Sequence, residues 1–293
     1  MKDPEEKEMM AYIAGLIDGD GNIGLRNGPR GKLSPVIQFH NSSKQSCVFL
    51  HNLFGGNISS DKPKKEGHQI VWRWMLQGVD GCKNFISKVG MYLIIKKDSS
   101  DLLMEFFENP SPIKNYHEIS KDLNISRKLK DLDLNNLNRS MNRDNFFWAY
   151  VAGIMDTDGS FSIERSVRKP EKENRQVNDL IKYRPKILLT MVTDNAIKYI
   201  LSNCSLGGYS IVEAKTALRG KACRLSISSR SQAIEFLKLC IPYLQIKAVR
   251  AVKLLNFCRN YKPTNGLAKI PEEEKEYREN CYKEIMLLNN TPS

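Results

Sequence analysis

The chain lacks the ligand patterns of a zinc protein. Its seven cysteines (Cys47, Cys82, Cys204, Cys223, Cys240, Cys258 and Cys281) form no CxxC pair, and its four histidines (His40, His51, His68 and His117) form no HxxxH or His-Cys cluster. Zinc fingers and disulfide scaffolds are thereby excluded, and a reducing compartment is implied. No apolar run approaches the roughly 18 residues of a membrane span, so no membrane partner is expected. The first residues, Met1-Lys-Asp-Pro-Glu-Glu-Lys-Glu8, carry neither the basic-then-apolar pattern of a signal peptide nor the Arg-rich pattern of a transit peptide, and the expectation is a protein that works where it is made.

Acidic residues are in deficit. There are 33 Asp and Glu against 45 Lys and Arg, a net charge of +12. That balance points toward a polyanionic partner without naming it. The 293 residues are 41% hydrophobic, enough for one large domain or for two compact halves, each with its own core.

Internal repetition favours the two halves. Tyr12-Ile-Ala-Gly-Leu-Ile-Asp-Gly-Asp-Gly-Asn-Ile23 recurs as Tyr150-Val-Ala-Gly-Ile-Met-Asp-Thr-Asp-Gly-Ser-Phe161, at an offset of 138. Phe54-Gly-Gly56 pairs with Leu206-Gly-Gly208, Trp72-Arg-Trp74 with Cys223-Arg-Leu225, and Tyr92-Leu-Ile-Ile-Lys96 with Tyr243-Leu-Gln-Ile-Lys247, the last two at an offset of 151. About 13 residues are therefore inserted early in the second copy, and the polar stretch Arg168 to Lys182 reads as the longer surface loop that holds them. The expected units are residues 1–108, a linker over 109–143, and residues 144–293 with a terminal helix over Pro271 to Leu288.

Periodicity supplies the elements of one copy. Glu8 to Ile17 carries a helical stripe, with Gly21 as its stop. Leu33 to Phe39 alternates, placing Leu33, Pro35, Ile37 and Phe39 on a dry face and Ser34, Gln38 and His40 on a wet one. Ser43 to Phe54 reads as a helix and Gln69 to Leu76 as a strand burying Ile70, Trp72, Trp74 and Leu76. Val79 to Lys88 and Ser99 to Phe107 read as helices. The fold class is α+β, in two tandem αββαββα repeats. Asn109 to Arg143 reads as a helical or wrapped linker.

The repeated segment ends each first helix on a carboxylate, Asp20 or Asp158, with a second Asp two residues earlier. Ala14-Gly15 and Ala152-Gly153 lie about one turn before, small enough for two helices to approach closely. If the copies pack through those faces, two carboxylates meet at negative helix ends, which is destabilising without a cation between them. Oxygen-only ligands suit Mg²⁺ or a similar hard cation, equipped to activate water at a phosphate. Asp18 and Asp156 are assigned instead to backbone donors near the helix ends.

Both segments resemble the signature of the LAGLIDADG homing endonucleases, and the resemblance covers almost the whole chain. It implies a single-chain pseudo-twofold monomer whose two antiparallel four-stranded sheets form a saddle over duplex DNA. It implies a metal-dependent double-strand break across the minor groove that leaves 3′ overhangs, at a site read asymmetrically because the halves have diverged. Asp20 and Asp158 are then the metal ligands, with the carbonyls of Gly19 and Thr157 as further ligands. Mg²⁺ is the expected cofactor, Mn²⁺ a substitute, and Ca²⁺ a support for binding without cleavage. Lys96 and Lys247 match the family's basic residue near the metal, where an ammonium offsets charge building on the scissile phosphate; a surface Lys capping a helix is the competing assignment. A polar partner at the start of the middle helix falls near Asn41, Ser42 or Thr193, on loose matches.

Strand alternation assigns the DNA-facing side chains. In the first copy these are Arg26, Arg30, Ser34, Gln38, His40 and Arg73. In the second they are Ser162, Glu164, Arg168, Arg184, Lys186, Thr190 and Arg224, types able to pair with base edges in the major groove. Lys62, Lys64 and Lys65 are assigned to phosphates. The resulting expectation is a free-standing, intron-encoded nuclease from an organelle (mitochondrion or chloroplast) or an archaeon. The alternative is a maturase that binds its own intron RNA on the same fold; a regulator using the saddle for DNA binding alone is a further rival, and both acids and both lysines argue against either.

Overall fold

A computed structural model of the chain describes residues 4–27, 33–61, 69–108, 145–167, 181–213, 220–261 and 270–290. The linker assignment over 109–143, Arg30, Arg168, the three loop lysines and most of the inserted loop lie outside the described residues.

The first half runs α1 (Pro4–Asp20), β1 (Gly21–Asn27), β2 (Leu33–Asn41), α2 (Lys44–Phe54), β3 (Asn57–Asp61), β4 (Val71–Gln77), α3 (Val79–Val89), a single 3₁₀ turn (Gly90–Tyr92) and α4 (Lys97–Glu108). The second repeats it: α5 (Asn145–Thr157), β5 (Gly159–Val167), β6 (Ile181–Met191), α6 (Asn195–Cys204), β7 (Gly208–Glu213), β8 (Lys221–Ile227), α7 (Arg230–Cys240), a 3₁₀ turn (Ile241–Tyr243), α8 (Ala248–Asn260), and the added α9 (Glu272–Asn290). Each half holds one antiparallel four-stranded sheet, ordered β1-β2-β4-β3 and β5-β6-β8-β7.

Apolar alternation decides which face of each sheet is covered. Ile23, Ile37, Phe39, Trp74 and Leu76 are buried on one side of the first sheet, as are Phe161, Ile163, Ile187, Leu189 and Leu225 in the second. Trp74 packs against Phe85, which also meets Phe54, and the indole N–H donates to the Gly55 carbonyl at 2.8 Å. Two expectations are corrected. Ile70 is not in the core but 47% exposed, because β4 begins only at Val71. Lys182 belongs to β6 rather than to the loop. Gly21 pairs with Phe39 and Gly159 with Leu189, so the partners stand 18 residues apart in the first copy and 30 in the second. Part of the insertion has gone into strands, since β5 and β6 have 9 and 11 residues against 7 and 9 in β1 and β2.

The halves meet along α1 and α5. Every residue from Met10 to Asp18 is buried, and so is the run from Phe147 to Asp156, because each helix is covered by its own sheet and by its counterpart. Gly15 and Gly153 make this approach possible. A Cβ on Gly15 would lie 2.2 Å from the Tyr150 carbonyl oxygen, and one on Gly153 would lie 2.1 Å from that of Tyr12. Backbone rests on backbone, and the two helix C-termini are carried to the same place.

Candidate nuclease centre and nucleic-acid interface

Beyond the glycine crossing the helix ends stay in contact, for a Cβ on Gly19 would overlap the Thr157 hydroxyl at 1.9 Å. Gly at one copy's position thus makes room for Thr at the other's. Asp20 closes α1 half-buried, whereas Asp158 follows α5 in a turn and is exposed. Burial raises the Asp20 pKa; a hydrogen bond from Asn41 and the charges of Lys247, Lys96 and His40 oppose that rise.

Asp18 and Asp156 do satisfy backbone donors, but not those of their own helix ends. Asp18 accepts the amides of Ile94 (2.7 Å), Ile95 (3.0 Å) and Lys96 (2.9 Å). Asp156 accepts those of Gln245 (2.8 Å), Ile246 (3.0 Å) and Lys247 (2.8 Å). Each carboxylate therefore ties down the loop that delivers its own copy's lysine. A fourth donor crosses between the halves: the Tyr150 hydroxyl to Asp18 at 3.0 Å, and the Tyr12 hydroxyl to Asp156 at 2.9 Å.

Both lysines reach the motif helices. The Lys96 ammonium donates to the Asp18 carbonyl at 2.6 Å; that of Lys247 donates to the carbonyls of Met155 (3.0 Å), Thr157 (2.7 Å) and Gly159 (2.7 Å). Helix capping and proximity to the acids, posed as competing roles, are thus both realised. Burial pushes the Lys247 ammonium down to about 8, although Asp156, Asp20 and Asp158 all favour its charged form.

A cleft of about 360 Å³ opens beside Asp20 and draws its walls from both halves: His40, Asn41 and Gln69 from one, Thr157, Lys247, Arg250 and Asn289 from the other. Arg250 and Asn289 escaped sequence reasoning. Asn41, considered on a loose match, donates to Asp20 at 2.8 Å. Arg250 occupies the repeat position of Ser99 and so has no sequence echo. Asn289, whose amide donates to the Phe161 carbonyl at 3.1 Å, arrives on the added helix α9. Tyr12 and Tyr150, by contrast, left a signal, since they are the identical first residues of the repeated segment.

The donors fit a hard divalent cation in kind: two carboxylates and the Gly19 and Thr157 carbonyls, all oxygen, at two abutting helix ends. Among the described residues no cluster of three or more His, Cys, Asp or Glu exists, so the remaining coordination would fall to water or phosphate oxygens.

Each sheet has an open face, and the described residues assigned to DNA lie on it. Arg26 pairs with Ser34 and His40 with Arg73, while Gln38 shares their parity. Ser162 pairs with Lys186, Glu164 with Arg184, and Thr190 with Arg224. Lys182, Gln77 and Ser226 share these faces and were not anticipated. Val36 departs from the pattern, being buried on the wet side. The polar side chains hold one another: Arg73 donates to His40 (2.8 Å) and Asp61 (2.9 Å), Arg224 to Thr190 (3.2 Å), Arg26 to Gln77 (2.9 Å) and Lys186 to Glu164 (2.6 Å).

Two αββαββα halves related through paired motif helices, each with an open four-stranded sheet, constitute the LAGLIDADG homing endonuclease fold in its single-chain, monomeric form. The chain is similar to I-LtrWI bound to target DNA (TM-score 0.66, 14% identity, covering 95% of this chain and 98% of that one). It is also similar to I-AabMI bound to uncleaved DNA (TM-score 0.63, 14% identity, 94% and 98% covered) and to I-GzeII in complex with its DNA target (TM-score 0.60, 14% identity, 95% and 96% covered). In sequence it is 23% identical over 195 residues to the cox1 intron-2 37.2 kDa protein of Schizosaccharomyces pombe, covering 67% of this chain; the chain spans about half the length (52%) of that relative. No protein-family model matches the chain. No helix among the described residues is long and apolar enough to cross a membrane.

Proposed function

We propose that this protein is an intron-encoded, site-specific DNA endonuclease, acting as a monomer on a long asymmetric duplex and leaving 3′ overhangs after cutting both strands across the minor groove. The observation that carries the reading is the abutment of the two motif-helix ends at Gly19 and Thr157, each next to an acid, Asp20 or Asp158, with Lys247 within electrostatic reach of both acids. Asp20 and Asp158 hold the cation, assisted by the Gly19 carbonyl. The Thr157 carbonyl has two lone pairs and can serve a cation while accepting from Lys247. Bound there, Mg²⁺ or Mn²⁺ supplies Lewis-acid activation of water and neutralises charge on a phosphate oxygen. Lys96 and Lys247 offset charge growing at the scissile phosphates, and Asn41 fixes the direction of the Asp20 carboxylate.

The open sheet faces read bases through Arg26, Arg30, Ser34, Gln38, His40 and Arg73 in one half-site. In the other they use Ser162, Glu164, Arg168, Arg184, Lys186, Thr190 and Arg224. We take residues 1–108 and 144–293 as the two reading units and 109–143 as their connection. The likeness to a cox1 intron protein supports the intron-encoded origin, and we assign synthesis to an organelle or an archaeal cell.

The test is cleavage of a plasmid carrying the uninterrupted host gene, or of a large target library, with Mg²⁺. Asp20→Asn and Asp158→Asn should each abolish double-strand cleavage while leaving DNA affinity in Ca²⁺ within about twofold. Tight binding to the intron RNA, with no sequence in the library cut, would replace this reading by the maturase one.

A further inference from the structure

Asp18 and Asp156 are among the most deeply buried charged groups among the described residues, 2% and 1% exposed, and each accepts four hydrogen bonds from donors at matching positions. Oδ1 of Asp18 takes the Lys96 amide, and Oδ2 takes Ile94, Ile95 and the Tyr150 hydroxyl. Oδ1 of Asp156 takes the Lys247 amide, and Oδ2 takes Gln245, Ile246 and the Tyr12 hydroxyl. Three donors in each set belong to the lysine loop of the same copy. The fourth comes from the motif helix of the other copy, 132 and 144 residues distant in sequence.

From this reciprocal arrangement we infer that Tyr12 and Tyr150 are positioning residues acting across the boundary between the halves: Tyr150 sets Lys96 through Asp18, and Tyr12 sets Lys247 through Asp156. The inference rests on the nuclease reading for its consequence, since the two lysines are what the tyrosines place. A buried carboxylate keeps its orientation only while its lone pairs are filled, and the charge-assisted bonds here are the strong kind. Burial and the facing carboxylate raise both phenol pKa values, so each tyrosine remains a donor across the working pH range. The phenol of one helix and two amides of the opposite copy's lysine loop converge on a single carboxylate oxygen, Oδ2, which couples that loop to the opposite helix. A shift of α1 against α5 is therefore transmitted to both lysines at once, which links the two strand cuts.

Tyr12→Phe and Tyr150→Phe test this, because phenylalanine keeps the ring that fills the interface and deletes only the donor. Hydrogen exchange on the full chain should quicken about tenfold or more at the amides of residues 94–96 in Tyr150→Phe, with residues 245–247 unchanged, and the reverse in Tyr12→Phe. On supercoiled target DNA with Mg²⁺, Tyr150→Phe should accumulate plasmid nicked in the same strand as does Lys96→Ala, and Tyr12→Phe in the same strand as does Lys247→Ala. Equal exchange changes in both loops, no change in either, or equal slowing of both strands would overturn the inference. Should the unaltered protein cut no target, the nuclease reading fails while the exchange result still decides whether the tyrosines position the loops.

Discussion

The side-chain amide of Asn41 donates to the Asp20 carboxylate at 2.8 Å, and the same amide group's oxygen accepts the Ser43 backbone N–H at 2.8 Å. The Asn41 side chain is thus held between the end of α1 and the start of α2. The register shows what replaces it in the other half: Phe39 matches Leu189 as the partner of the motif glycine, so Asn41 matches Met191, which cannot donate a hydrogen bond. The two carboxylates therefore sit in chemically different settings. Asn41→Ala is expected to slow cleavage of one strand by roughly 10- to 100-fold, the value of a hydrogen bond to a charged group. Time courses on a duplex labelled separately in each strand would measure it, and equal slowing of both strands would count against the assignment.

The second prediction concerns pH. Burial holds Lys247 near 8, below its ordinary 10.5. If its ammonium assists cleavage, the single-turnover rate should fall as pH rises through about 8, and Lys247→Arg should carry whatever rate it retains well past that limb. The sign for stability is opposite. Between about 8 and 10.5 the unfolded chain binds more protons at this site than the folded one, so the Lys247 contribution to folding stability rises with pH across that window. Chemical denaturation of the unaltered protein and of Lys247→Met from pH 7 to 10 would isolate the difference between them.

Arg73 and Arg224 occupy matching positions, each bonded to its neighbour on the adjacent strand, His40 or Thr190. Replacing either by Ala should relax base preference by about 1–3 kcal/mol at positions within one half-site and leave the other half-site unchanged. Affinities for a panel of single-base target variants in Ca²⁺, at fixed salt, would report it. An even loss of affinity across all variants would reassign the residue to a phosphate.

Much of this architecture is legible in the chain. The recurrence of Tyr-x-Ala-Gly around residues 12 and 150 announces the duplication, and the alternation from Leu33 to Phe39 announces the covered and open faces of a sheet. Both signals are local, written within a few residues by helix and strand periodicity. The open-face residues follow from the same parity. Ile70 misled because alternation alone cannot say where a strand starts.

What the sequence determined by itself was the pair of halves, the composition of their cores and the two acids that end the motif helices. What only the tertiary structure decided was which groups surround those acids. Asn41 meets Asp20 through the register of β1 on β2, and Arg250 and Asn289 enter the cleft from elements with no repeat partner lining it. Tyr12 and Tyr150 find Asp156 and Asp18 because Gly15 and Gly153 let the helices touch backbone to backbone. A local pattern can specify a helix and its apolar stripe. The partners of a buried carboxylate depend on how close two helices come, and that distance is set by contacts more than a hundred residues apart.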